Sequence, residues 1–318
     1  MGDNQTITPF ASSVETIGSE KAGEWLGPRQ MLADQTYDAH ASIHDDATAQ
    51  KLGFKGGTIE GPTHFSQLAR LGVELWGPRF LSHGCLSAHY RNPVFEGEKV
   101  RAFIEDLGQN ASLARIRMEK EDGVEVLRGT ASITPDADTA LDQRLRELPP
   151  LQEAVILGDV QVGMKTPRRP VVMAADQHMG ALYPFSLQDK LRVITEPSPW
   201  YEGASPFGGA IIPFEMLSVL MQYTARENGF PIKGPAVGLF ADQEIRLLDG
   251  PVFVGAPYEI EREVVALTGS RRTESVWVKT SLYRPGEARP VATMLLNHAT
   301  LKDSYAPYEA ELAAIRAE

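Results

Sequence analysis

The chain has little of what usually gives a protein an easy label. Among 318 residues there is one cysteine, Cys85, so no intramolecular disulfide can form and no multi-cysteine zinc or iron–sulfur site can be built. No apolar run approaches the roughly 20 residues of a membrane span; the longest are 210–214 and 216–221. No basic run stands out either. Against 31 Lys and Arg stand 42 Asp and Glu, a net charge of −11, which argues against a nucleic-acid backbone or an anionic membrane surface as partner. The first nine residues are polar, with no basic patch leading into an apolar segment, so no secretory signal is read and a cytoplasmic protein is expected.

Familiar catalytic motifs are missing too. No Gly-x-Gly-x-x-Gly follows a strand pattern and there is no Gly-x-Ser-x-Gly elbow, so neither a dinucleotide site nor a hydrolase serine is indicated. Gly163-Met164-Lys165-Thr166, downstream of Gly158, imitates a phosphate loop but has an extra residue before the lysine and runs into Pro167 instead of a helix. His40 and His44 lie four apart, yet without a zinc-protease glutamate or an obvious third ligand they do not read as a metal site.

What is present is a pattern that occurs twice. With 42% hydrophobic residues and this length, one large domain or two of ordinary size are expected. Strand-like runs fall at 86–90, 99–104, 113–118 and 124–134, and again at 237–248, 258–266, 275–283 and 290–300. Turn residues such as Asp122-Gly123 and Pro285-Gly286 separate them, which describes two antiparallel meanders. The segment Asn92-Pro93-Val94-Phe95-Glu96-Gly97 is echoed by Gly250-Pro251-Val252-Phe253-Val254-Gly255, and Phe54-Lys55-Gly56-Gly57 by Phe207-Gly208-Gly209-Ala210. Two anchors in the same order point to a duplicated unit. Each Gly-Gly anchor opens the one long helical pattern of its half, at 62–76 and 214–226, the second apolar almost all round. A long helix wrapped by a curved antiparallel sheet, twice over, is the double-hotdog architecture, an α+β fold. The expected layout is a first hotdog at 1–140, a linker at 141–160 rich in proline and charge, and a second hotdog at 161–318.

These residues resemble the MaoC-like family of (R)-specific enoyl-CoA hydratases and dehydratases. That family's pattern is a loop Asp-x-Asn-Pro-x-His, then an apolar-apolar-His-Gly element opening the central helix, then a Pro-Val-Phe-x-Gly turn. Here the first half reads Ser42-Ile43-His44-Asp45, then Thr58-Ile59-Glu60-Gly61, then Pro93-Val94-Phe95-Glu96-Gly97. The likeness spans both halves. It implies a lyase of acyl-CoA and fatty acid metabolism that adds water to, or removes it from, a 2-enoyl thioester, with no metal or organic cofactor. Such chemistry requires a base to activate water, an acid for the α-carbon and amide donors for the charge on the thioester oxygen. By the resemblance His44 is the general acid/base, and the Gly61 N–H, at the positive end of the central helix, is the oxyanion donor. The partner implied is an acyl group on CoA or a carrier protein, and the pseudo-dimeric layout leaves room for a homodimer.

The departures from the family pattern fall at the chemistry. The position five before His44 is Ala39, with Asp38 one residue further out and His40 as a second titratable neighbour. Glu60 replaces the histidine before the helix glycine. In the second half Glu196, Ser198, Pro199 and Tyr201 occupy the loop, with Tyr201 where His is expected as a secondary proton donor, and Pro213-Phe214 replaces His-Gly. The second half therefore reads as the degenerate one. Glu60 also leaves open a hotdog thioesterase that uses this carboxylate as base or nucleophile, and the deviations in both halves leave open a non-catalytic acyl-thioester-binding subunit.

Overall fold

A computed structural model describes residues 9–35, 42–108 and 110–317. Eleven strands follow one another along the chain: β1 (Glu15–Ile17), β2 (Glu20–Ala22), β3 (Cys85–Tyr90), β4 (Val100–Glu105), β5 (Leu113–Lys120), β6 (Glu125–Ser132), β7 (Arg169–Val171), β8 (Gly238–Leu247), β9 (Tyr258–Gly269), β10 (Thr273–Tyr283) and β11 (Pro290–Leu301). They form one antiparallel sheet in the order β1-β2-β4-β5-β6-β3-β8-β11-β10-β9-β7. The two expected meanders are therefore halves of a single surface, joined where β3 pairs with β8 from Cys85↔Arg246 to His89↔Asp242. Reading outward from that join, β3, β6, β5 and β4 mirror β8, β11, β10 and β9.

The repeat read from the sequence is visible in single hydrogen bonds. Thr58 N–H donates to Ile43 O and Ile59 N–H to Val94 O; their counterparts are Ile211 N–H to Trp200 O and Ile212 N–H to Val252 O. Isolated bridges Thr58↔Phe95 and Ile211↔Phe253 complete the correspondence. Both loops are thus laced to the same turn in the same way, which fixes where each central helix starts.

The first central helix, Phe65–Trp76, is preceded by a 3-10 turn over Gly61–His64, with Pro62 in the first turn, where its missing N–H costs nothing. The second, Phe214–Gln222, is shorter than the periodicity predicts. Its expected extension to 226 is replaced by turns, because the Arg262 guanidinium takes the Met221 carbonyl at 2.7 Å and the Asn228 carbonyl at 3.2 Å. Both helices are buried inside the curved sheet. The Phe214 ring of the second stacks on Phe80, from the short helix that follows the first, with centroids 5.6 Å apart. The linker stretch carries a helix, Ala140–Glu147, started by a Thr139–Asp142 capping box, with Leu141 fully buried. Among the described residues no helix is long and apolar enough to cross a membrane.

Candidate active site

A cavity of about 480 Å³ lies between the halves, a size suited to a small-molecule ligand. His44, Glu60, Gly61 and Tyr90 of the first half and Glu215, Ser218 and Gln222 of the second line it. Its wall follows the second central helix from Glu215 to Gln222, about 10 Å at the usual helical rise.

His44 is held by its backbone surroundings. The ring nitrogen Nδ1 lies 2.7 Å from the Thr58 carbonyl. A carbonyl can only accept, so Nδ1 carries a proton and Nε2 is the ring nitrogen left for proton transfer. Gln30 braces the arrangement by donating from Nε2 to the same Thr58 carbonyl and, at 3.4 Å, to the His44 carbonyl. The next residue, Met31, donates its N–H to Glu60 Oε1 at 3.1 Å. One short segment thus secures both His44 and Glu60. The second carboxyl oxygen, Glu60 Oε2, is buried with no hydrogen-bond partner among the described residues.

Gly61 follows at the helix start, and its N–H has no acceptor among the described residues. The residue is glycine for a reason the sequence does not show: a Cβ here would meet the Tyr90 ring at 2.7 Å. Tyr90 is fixed in turn by its hydroxyl, which donates to Gln243 Oε1 at 2.9 Å. The close approach expected of a thioester is taken on that side by an aromatic ring.

Beside these residues lies a buried polar cluster that sequence reasoning missed. Lys190, on a short helix begun by a Ser186–Asp189 capping box, donates to Thr63 Oγ1 at 3.2 Å. Its Nζ is also 3.2 Å from Glu215 Oε1, an ion-pair contact off the hydrogen-bonding line. Ser66 Oγ donates to Glu215 Oε2 at 2.5 Å. Burial raises the Glu215 carboxyl above its usual range despite the nearby Lys190. His64, buried and lining the cavity with Nδ1 unpartnered, is held down to about 3, by burial first and then by the Lys190 and Lys120 charges. The one sequence signal is Glu215 itself, a charged residue in a helix otherwise apolar almost all round.

Of the residues singled out from sequence, His44, Glu60 and Gly61 come together on one cavity wall. Asp38 and His40 lie outside the described residues. Glu196 and Tyr201 are not brought to the cavity. Both are buried behind it: Ser12 Oγ donates to Glu196 Oε2 at 2.5 Å, and Phe10 packs edge-on against Tyr201 at 6.3 Å. Desolvation lifts the Glu196 carboxyl to about 7 and drives the Tyr201 phenol up as well. The Tyr201 hydroxyl has no partner among the described residues.

No protein-family model and no curated protein matches the sequence. Solved structures match by fold. A MaoC domain protein dehydratase from Chloroflexus aurantiacus is 14% identical over 92% of this chain and 94% of its own, with a TM-score of 0.53. A double-hotdog protein of Mycobacterium tuberculosis is 9% identical over 91% of this chain and 96% of its own, with a TM-score of 0.54. At these identities the likeness is one of architecture, and it shows that the chain has the double-hotdog fold.

Proposed function

We propose that the protein is a hydro-lyase that adds or removes water across the 2,3 double bond of an acyl thioester carried by CoA or a carrier protein, with the half at 1–140 doing the chemistry and the half at 161–318 shaping the acyl cavity. The observation that carries this reading is the meeting, among the described residues of one cavity wall, of a histidine whose Nδ1 is taken by a backbone carbonyl, a buried carboxyl with an unpartnered oxygen, and an amide N–H without an acceptor. In hydration His44 Nε2 takes a proton from water as its oxygen bonds to C3. The electron pair of the double bond moves toward the thioester, whose oxygen is held by the Gly61 N–H, and Glu60, entering the step as the carboxylic acid, gives its proton to C2; the carboxylate left behind recovers through solvent the proton that His44 took. Dehydration is the reverse. The Chloroflexus protein of the same fold bears the name of a MaoC domain protein dehydratase, which is in keeping with this reading.

The unpartnered Glu60 oxygen also favours a second reading, thioester hydrolysis with this carboxylate as base. One experiment separates the two. Incubation with crotonyl-CoA and longer enoyl-CoA thioesters is followed at the conjugated absorbance and, in parallel, by thiol release. Hydration removes the absorbance without freeing thiol. His44→Ala should then lower turnover by roughly 10²–10⁴-fold, the span of a lost proton-transfer group. Unchanged turnover in that variant would remove His44 from the mechanism, and thiol release would replace the hydratase with the thioesterase.

A further inference from the structure

β9 alternates between outward acidic residues and an inward apolar row, Tyr258, Ile260 and Val264, with one exception. At the inward position between Ile260 and Val264 stands Arg262, 2% exposed. Burying a guanidinium is costly unless a carboxylate or a full set of acceptors compensates it. Three acceptors serve this one: Met221 O, Asn228 O and Thr224 Oγ1. These cap the end of the second central helix, where a cation is favoured. Among the described residues no carboxylate lies within ion-pair distance of Arg262, Glu227 acting on it only at longer range, and its Nε–H is buried without a partner. Directly opposite, Thr280 on β10 is fully buried and its hydroxyl is also unpartnered among the described residues. Opposed residues of an antiparallel pair share a face, so two unsatisfied polar groups sit side by side in an otherwise apolar row. Arg262 lines the cavity, beside Phe230, Ile232, Val276 and Val278. It caps the end of the helix whose start lies near Glu60 and Gly61, so the two polar regions of the cavity are separated by the length of that helix.

We infer that the protein selects acyl thioesters whose chain ends in a carboxylate, with the thioester at Gly61 and the terminal carboxylate at Arg262. The inference rests on the thioester reading above and adds the substrate class to it. An unbranched apolar chain would satisfy the valine and phenylalanine wall but leave the guanidinium unpaired; a carboxylate supplies both the missing charge and the missing acceptor.

The test is calorimetric binding of saturated thioesters, which cannot react by hydration, in pairs of equal chain length: succinyl-CoA against butyryl-CoA and adipyl-CoA against hexanoyl-CoA. The carboxylate-ended member of at least one pair should bind the wild-type protein roughly 10–100-fold more tightly, the span of a hydrogen bond to a charged group. Arg262→Gln, which can still donate to the helix end, should bring the ratio close to one, while Arg262→Lys, which keeps the charge, should retain most of it. Equal affinities in both pairs for the wild-type protein, or a ratio that survives Arg262→Gln, would overturn the proposal and leave the thioester reading standing. If none of the four thioesters binds, both are wrong.

Discussion

Glu196 offers a prediction in which the sign is as diagnostic as the size. This carboxyl is buried, accepts a hydrogen bond from Ser12 and is lifted to about 7 by desolvation; in the unfolded chain it returns to the ordinary value of 4.5. A group whose folded pKa is raised gives stability that is fully present below the unfolded pKa and is lost as the pH rises through the folded one. Two and a half pH units at about 1.4 kcal/mol each come to at most about 3 kcal/mol, present at pH 4.5 and largely gone by pH 8. Glu196→Gln keeps the shape and cannot ionise. The urea midpoints of the two proteins, measured side by side from pH 4.5 to 8, should therefore not run parallel. The variant should gain on the wild type by about 3 kcal/mol across that window, while the contributions of other titrating groups cancel in the difference. Parallel curves would mean that Glu196 is not desolvated and that the second half's loop is open to water.

Other perturbations test the neighbouring contacts. His64, held down to about 3, works in the opposite direction: stability should fall by up to about 1.4 kcal/mol per unit as the pH drops below about 6.5, and His64→Leu should remove that slope in the same titration. Lys190→Met leaves Glu215 buried without its cation and should cost about 3–5 kcal/mol in chemical unfolding, whereas Lys190→Met with Glu215→Met should recover much of the loss. Gly61→Ala drives a methyl into the Tyr90 ring and should cost about 1–3 kcal/mol; with Tyr90→Ala in the same chain, the incremental cost of the added methyl should largely vanish.

Much of the fold is legible in the sequence because its signals are local. Eight strands and two helices follow from periodicity and turn residues, and the repeat follows from two short anchors whose backbone bonds prove equivalent. What escapes is whatever depends on partners distant in sequence. The merging of the meanders into one sheet hangs on β3 finding β8, some 150 positions away, and nothing in either strand announces its neighbour. The end of the second helix is decided by Arg262, 40 residues downstream, which competes for its last carbonyls. The short edge strands β1 and β7 carry too few alternations to stand out from loops.

The site divides along the same line. Its residues of recognisable type and spacing, His44, Glu60 and Gly61, fall on one wall as expected. The reason one half is open and the other closed lies elsewhere. In the second half the pocket behind the loop is filled by the chain's own N-terminal segment, with Phe10 against Tyr201 and Ser12 on Glu196. In the first half the corresponding loop borders the cavity, braced from its side by Gln30 and Met31. The two halves share a backbone frame down to individual hydrogen bonds, so their difference comes from which part of the preceding chain packs on each loop. Arg262 marks the remaining limit: it could be seen in advance as a charge in the apolar phase of a strand, but only the fold shows that this phase faces the cavity.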